Sequence, residues 1–162
     1  MANKLIEKKL TDVETFLKTN LGAELTALQA AYADNVDLDA PRTTDDGYAI
    51  YEKEYIDQLP FIQILPDNSD NEHLGVQHDI MDHSIIIVAH TPGEEGCPKD
   101  CALRTYRFAE AIWRIITNNR VLTTMEIWVN NIDYKPMMED EDSRALKGEV
   151  WIHCTIKENE VV

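Results

Sequence analysis

The run His83–His90, HSIIIVAH, restricts the fold of this chain more than any other segment. Three consecutive isoleucines followed by a valine favour a β-strand, and a strand with no polar alternation is typical of one buried on both faces. Residues 123–134 and 148–156 alternate between apolar and polar side chains, which predicts two more strands, each with one buried face. Residues 60–65 form a shorter apolar segment that stops at a proline. The sequence therefore predicts a sheet of about four strands.

Two other segments repeat their apolar residues at helical spacing. Residues 3–33 carry one stripe and residues 98–118 carry the clearest one. The first stripe contains Ile6, Leu10, Val13, Leu17, Leu21, Leu25, Leu28 and Tyr32. The second contains Ala102, Tyr106, Ala109, Trp113 and Ile116, and Leu103 and Ile112 widen it. The first helix has possible breaks at Thr11–Glu14, which has capping-box spacing, and at Asn20 and Gly22. This helix can bind a partner through its stripe or pack the stripe on the chain's own sheet, and we favour the sheet because surface helices normally bury such stripes.

The predicted fold class is α+β, with a mainly antiparallel sheet packed against an N-terminal helix and a central helix. We expect a single domain over residues 1–162: a helical segment at 1–33, an acidic loop at 34–48, and the sheet with its central helix at 49–162. The N-terminus is charged and lacks the apolar region of a signal peptide, and no apolar run approaches the length of a membrane span. These features predict a cytosolic setting in which the three cysteines are thiols.

The charge balance argues against nucleic-acid binding. Thirty acidic residues against fifteen lysines and arginines give a net charge of −15. Phosphate recognition needs clustered basic side chains, and Arg104, Arg107, Arg114 and Arg120 are instead spread along one helix and its end, as on a solvated face.

The segment HTPGEEGCPKDCALR, residues 90–104, is the part of the chain that most resembles a metal or redox site. Cys97 and Cys101 have the spacing of one zinc-ligand pair, and His90 is the nearest further candidate ligand. Strand parity points Cys154 into the core, so a second pair is missing, and a thioredoxin-like site would have two intervening residues where this one has three. A strand-to-helix turn explains the segment better, with a proline at the first helical position and an acid in the first turn.

No other motif supports catalysis. The sequence lacks the G-x-S-x-G, Walker A and G-x-G-x-x-G patterns. HDIMDH at 78–83 groups two histidines with two aspartates, but its spacing matches no H-E-x-x-H helix, and a polar loop with exposed histidines is the preferred interpretation. We therefore predict no catalytic residue, no cofactor and no enzymatic activity.

The order of elements resembles a known family. A proline-led strand, LPFIQIL, leads to the apolar strand HSIIIVAHT and the helix CALRTYRFAEAIWRIITNN, and then to RVLTTMEIWVNNIDYKPM and the closing strand LKGEVWIHCTIKE. This pattern, together with the N-terminal helix and EYIDQLPFIQI, is similar to the tail terminator proteins of long-tailed bacteriophages over most of residues 1–158. The likeness is one of pattern and element order.

The resemblance implies a virion structural protein at the head–tail joint, assembled in the host cytoplasm. Six copies would form a ring that caps the tail tube, ends its polymerisation and offers a surface to the head. The implied partners are the chain itself, the tail tube protein and a head-completion or connector protein; DNA would pass through without specific binding, and no membrane is involved. Alternatives are a head–tail connector or head-completion neck protein, a small zinc-binding domain using Cys97 and Cys101, and a monomeric accessory domain whose acidic loops bind a basic partner.

The loop between the last two predicted strands supplies the candidate interface residues. Met137 and Met138 are flexible apolar side chains next to four consecutive acids, Glu139, Asp140, Glu141 and Asp142. The methionines can lie at a subunit interface or cover the core. The acids can line a DNA passage, where like charge repels phosphate, or contact a neighbouring subunit, or be solvated.

Overall fold

Two helices and a seven-stranded sheet form the architecture in the computed structural model, which describes residues 2–73, 79–122 and 125–158. In chain order the elements are α1 (Ala2–Tyr32), β1 (Tyr48–Ala49), β2 (Phe61–His73), β3 (Asp79–Pro92), α2 (Pro98–Asn118), β4 (Val121–Leu122), β5 (Met125–Tyr134), β6 (Met138–Glu139) and β7 (Leu146–Glu158). The predicted α+β class and the order of the long elements are confirmed. The expected count of about four strands matches only the long strands, because three two-residue strands extend the sheet.

The sheet is antiparallel except at one edge. Its strands follow the order β1-β2-β3-β7-β5-β4, with β6 also paired to β7, and β1 is parallel to β2. Strand β3 lies between β2 and β7, where Ile87 is opposite Ile64 on one side and Ile152 on the other. The β-branched run at residues 83–90 therefore occupies the middle of the sheet.

One face of the sheet packs against both helices. The core combines the α1 stripe, the inner face of α2, and alternate residues of the long strands. Its strand residues are Ile62, Ile64, Ile85, Ile87, Ala89, Met125, Ile127, Val150, Ile152, Cys154 and Ile156. Leu10 through Leu28 of the α1 stripe are buried, which confirms that this stripe packs on the chain's own sheet, whereas Tyr32 at its end is 45% exposed.

Helix α1 runs without a break through both predicted interruptions. The Thr11 hydroxyl donates to the Glu7 carbonyl at 2.9 Å, so it bonds back into the preceding turn and does not cap a new helix. The Asn20 side chain donates to the Phe16 carbonyl at 2.8 Å in the same way. Leu17, Leu21 and Leu25 are fully buried across this region, and their packing keeps the helix continuous where local propensity favours a stop.

The hairpin of β2 and β3 is longer than the sequence predicts. The turn-rich segment after Pro66 continues β2 to His73, and the polar segment starting at Asp79 is the beginning of β3. Pairing between the strands continues through a register shift at Pro66–Asn68, which accommodates a proline on a strand whose other edge is largely open. The predicted exposed loop at 78–83 is therefore wrong, and His83 is buried. Residues 74–78, including His78, lie outside the described residues.

A glycine in β7 lets α2 approach the sheet closely. Gly148 is paired with Thr91 of β3, and both lie under Thr105 of α2. The two threonine hydroxyls share a buried hydrogen bond of 2.7 Å, and the Thr105 hydroxyl also contacts the Cys101 carbonyl at 2.9 Å. A side chain at position 148 would occupy the space of these hydroxyls.

Candidate interaction surfaces

The candidate zinc ligands lie on different sides of the sheet. Cys97 is the N-cap of α2, and Cys101 is buried one turn later with its sulfur close to Gly93. His90 belongs to the alternate residues of β3 that face away from the helices, together with Val88. Among residues 2–73, 79–122 and 125–158, no group of three or more histidine, cysteine or acidic side chains is placed to hold a metal ion.

The turn before α2 has the capping chemistry that the sequence predicts. The proline follows Cys97 at the start of the helix, and Asp100 is the acid of its first turn. Burial raises the pKa of the Cys101 thiol, and it raises the pKa of Cys154 to about 12. Both buried thiols are therefore protonated at neutral pH and behave as small apolar groups.

The acidic run after β5 forms a closed surface turn. Asp140 accepts hydrogen bonds from the backbone N–H groups of Asp142 and Ser143, at 2.8 and 3.1 Å, which lowers its pKa. The Asp140 N–H donates to the Ala145 carbonyl at 2.9 Å. Met137 and Met138 precede the turn and are 41% and 60% exposed, so these methionines do not cover the core. The turn presents carboxylates and apolar side chains together at the surface.

The loop at 34–48 is anchored to α2 by an ion pair. The Arg107 guanidinium donates to both carboxylate oxygens of Asp34, at 2.8 and 2.6 Å, and its central carbon lies 4.1 Å from the centre of the Tyr32 ring. Val36 and Leu38 of the same loop are buried. The prediction that Arg107 lies on a solvated face is wrong, because its side chain is 6% exposed and joins α2 to the loop.

Four exposed aromatic side chains lie near Glu110 on the helical side of the molecule. We call Tyr32, Tyr106, Trp113 and Tyr134 the aromatic patch. Tyr106 and Tyr134 meet edge to face with ring centres 5.3 Å apart, and the Tyr32 hydroxyl donates to Glu110 at 2.6 Å. Trp113 follows one helical turn after Glu110 on the same stripe of α2. All four rings are between 45% and 50% exposed.

The aromatic patch combines the residue types that dominate protein–protein binding. Tyrosine, tryptophan and arginine are enriched at the centres of interfaces, and Arg114 bonds Glu110 at 2.7 Å beside the rings. Tyr106 and Trp113 belong to the apolar stripe that the sequence predicts on α2, but both side chains are exposed. Ala109, Ile112 and Ile116 of the predicted stripe are buried, and Thr105 and Phe108 are buried beside them, so the buried face of α2 keeps part of the stripe and excludes its two large aromatic residues.

The opposite face of the sheet carries a pocket of about 440 Å³. Its floor comes from the outward residues of β2, β3 and β7, and residues 52–56 form one wall. The floor residues are Gln63, Leu65, Ile86, Val88, His90, Lys147, Glu149 and Trp151. We call this the sheet pocket.

His90 is the chemically distinctive group of the sheet pocket. It is 6% exposed, and neither ring nitrogen has a hydrogen-bond partner among the described residues. Burial, aided by Lys147 and opposed by Glu149, lowers its pKa to about 4. The imidazole is therefore neutral at pH 7, with one nitrogen that donates and one that accepts.

The comparisons with known proteins add no family. No protein-family model matches the sequence, and no curated protein is significantly similar to it. Within the described part of the chain, neither helix has the length and apolar character needed to cross a membrane.

Proposed function

We propose that this chain is a structural protein of a long-tailed bacteriophage virion, a tail terminator that acts through ring formation and docking. The observation that supports this proposal is the presence of two dissimilar surfaces on opposite sides of one sheet. The aromatic patch lies on the helical side, and the sheet pocket lies on the other. The order of helices and strands, which resembles that of the tail terminators, supports the same proposal.

A closed ring of identical subunits needs two different surfaces on each subunit. In a heterologous contact, one surface of a subunit meets another surface of the next, and the rotation closes the ring. A sheet with aromatic side chains on both sides can meet this requirement, since Tyr55 and Trp151 on the pocket side can face the patch of a neighbour. Both surfaces therefore offer aromatic side chains for the proposed ring contact.

The charge distribution suits a protein through which DNA passes. The net charge is −15, and the exposed carboxylates of the turn at Glu139–Asp142 add a local negative field. Like charge repels phosphates and prevents the ring from retaining the DNA. This turn is our candidate for the lumen or for the contact with the head.

The test compares assembly and tail-tube capping in matched variants. Sedimentation velocity across a wide concentration range measures the ring, and the length distribution of polymerising tail tubes measures capping. We expect a hexamer, formed alone or on the tube, that shortens the tubes. Because truncation of a central interface aromatic costs about 2 kcal/mol or more, Trp113→Ala should weaken association at least about thirtyfold. Trp128→Ala, which removes an exposed tryptophan outside both surfaces, should leave association unchanged.

Two results would overturn the proposal. A chain that stays monomeric alone and does not bind tail tubes is not a ring subunit. Rings that form but leave tube length unchanged, and bind a head connector instead, would assign the chain to the neck proteins of the head side.

A further inference from the structure

The sheet has an open strand edge at each of its two ends. Strand β1 covers the outer side of β2 only as far as Gln63, and β4 covers the outer side of β5 only as far as Glu126. Among residues 2–73, 79–122 and 125–158, no strand pairs with either edge further along. An open edge presents unpaired backbone N–H and C=O groups, so it can pair with a strand of another chain.

The open part of β5 consists of residues 129–134, which we call the β5 edge. The Lys135 N–H donates to the Glu149 carbonyl of β7 at 3.0 Å. Hydrogen bonds alternate along an antiparallel strand, so every second residue back from Lys135 also bonds β7. The backbone N–H and C=O groups of Ile132 and Tyr134 therefore point to the open side.

Aromatic side chains lie beside the β5 edge on its helical side. Tyr134 belongs to the edge and meets Tyr106 of α2 edge to face, with ring centres 5.3 Å apart. Trp113 follows Tyr106 by seven residues, which places the two on the same face of α2. A strand added to the edge would therefore pair its backbone and also pack its side chains against exposed rings, as in other cases of strand addition.

The end of the β2–β3 hairpin projects beyond the rest of the sheet. Strand β3 pairs with β7 only as far as Asp82, whereas its pairing with β2 continues to Asp79, opposite His73. Beyond Asp82 the hairpin is therefore a two-stranded ribbon, and such a ribbon is marginally stable alone in water. We call residues 68–73 of β2 the arm. A third strand on the outer side of the arm would stabilise it.

The backbone of the arm has its own outward groups. Near the start of β2, the Ile62 N–H donates to the Gly47 carbonyl on the outer side at 2.9 Å. The register shift within β2 moves the alternation by one residue. The N–H and C=O groups of Ser69, Asn71 and His73 therefore point outward, away from β3.

The arm and the β5 edge can meet only between copies, since β3 and β7 separate β2 from β5 within one sheet. Pairing of two arms is disfavoured, because residues 67–73 contain three acids and no lysine or arginine, and like charges on paired strands repel. The β5 edge starts next to the exposed Arg120, whose guanidinium lies 4.2 Å from the centre of the Trp128 ring. This positive charge is complementary to the acidic arm.

We propose that the arm of one copy adds as a strand to the β5 edge of the next copy. The contact joins two different segments, so it is heterologous, and each copy both inserts an arm and accepts one. The pairing deepens the proposed function, because it names segments that join neighbouring copies, and it rests on that function for the closure of the ring.

Asn71→Pro and Asn71→Ala form a matched pair of variants. Both remove the same side chain, but only proline removes the outward N–H, and the pairing of β2 with β3 does not use this N–H. Sedimentation velocity of the full chain measures association. We expect Asn71→Ala to associate as the parent does and Asn71→Pro to associate at least about tenfold more weakly, because a donor is lost and its acceptor is left unsatisfied.

Hydrogen exchange in the parent chain tests the other half of the contact without a variant. The Ile132 and Tyr134 amides should exchange at least about tenfold more slowly at protein concentrations above that of association than below it. The Asp133 amide already bonds β7 and should change less. Mass spectrometry at residue resolution measures the three amides.

The outcomes separate this pairing from the tail terminator proposal. The pairing is wrong if Asn71→Pro associates as tightly as Asn71→Ala, or if association leaves exchange at Ile132 and Tyr134 unchanged, even where the rings still cap tail tubes. Association through the arm that leaves tube length unchanged would support the pairing and contradict the tail terminator proposal. A chain that stays monomeric at every concentration, alone and with tail tubes, contradicts both.

Discussion

Gly148→Ala tests whether the close approach of α2 to the sheet holds this fold together. The added methyl would clash with the Thr105 hydroxyl and would lie 2.5 Å from the Thr91 hydroxyl and 3.2 Å from the Thr105 Cβ. At these distances the added methyl overlaps its neighbours, and the neighbouring atoms must move to relieve the overlap. Both hydroxyls are buried between paired strands and a helix. The substitution must therefore displace α2 or separate the two threonines.

The expected cost is worked from two effects. Overpacking a filled interior costs about 1 to 3 kcal/mol, and disrupting the Thr91–Thr105 hydrogen bond adds about 1 kcal/mol. We expect the free energy of unfolding to fall by about 2 to 4 kcal/mol. Urea denaturation measures it, with the same dependence of this free energy on urea concentration used for the variant and the parent.

Gly22→Ala is the matched control, because it adds the same methyl group to a different glycine. Its nearest neighbour would be the Ala40 side chain at 3.6 Å, which is an ordinary contact, and the site is interior to α1. Alanine favours a helix over glycine, so this variant should gain about 0.5 to 1 kcal/mol.

A variant that lacks both threonine hydroxyls tests whether the clash with them causes the loss of stability. In Thr91→Ala, Thr105→Ala, both hydroxyls are gone and Gly148→Ala should cost about 1 to 2 kcal/mol less than in the parent chain. Equal costs in the two backgrounds, or a cost below about 0.5 kcal/mol in the parent, would refute the reasoning.

Two further predictions follow from the titration of buried groups. Because the unfolded chain binds a proton at His90 between pH 6.5 and about 4 and the folded chain does not, the free energy of unfolding should fall as pH falls through this window, by up to about 3 kcal/mol. His90→Leu should remove this part of the pH dependence in urea titrations, and a His90→Leu profile parallel to the parent's would contradict it. Of Cys97 and Cys154, only the half-buried Cys97 should react rapidly with a thiol reagent at pH 8, since Cys154 is buried with a pKa of about 12. Mass spectrometry of the labelled protein checks the site, and equal labelling of the two would contradict it.

Local sequence patterns predicted the elements that depend on local chemistry. The two helices and the inward orientation of Cys154 follow from side-chain spacing and are confirmed, whereas the predicted stripe of α2 is buried only in part, because Tyr106 and Trp113 are exposed. The proline and acid at the start of α2 identified its first turn for the same reason. These features depend on neighbours within a few residues.

Pairing between distant segments decided the features that were predicted wrongly. The polar residues after Pro66 have a composition typical of a turn. They nevertheless continue strand β2, because they pair with β3. Asp34, far from Arg107 in sequence, makes burial of that arginine favourable. In both cases a long-range partner outweighs the local preference.

The candidate surfaces also differ in whether local sequence or long-range packing decides them. The sequence predicted a loop between strands at Met137, Met138 and the four acids that follow them. In the structure Met138 and Glu139 pair with β7 as the short strand β6, and the turn begins at Asp140. The sequence did not identify the aromatic patch or the sheet pocket, because each combines residues from three separate elements or more.

The sequence by itself determined the α+β class, the four long strands, the two helices and the acidic charge. Side-chain period and net charge are properties of the chain before it folds. Only the tertiary structure decided which aromatic residues remain exposed, that His90 is buried without a partner among the described residues, and that Gly148 lies beneath Thr105. The physical reason is that burial and close approach depend on which segments meet across the sheet, and that is settled by the packing of the whole core.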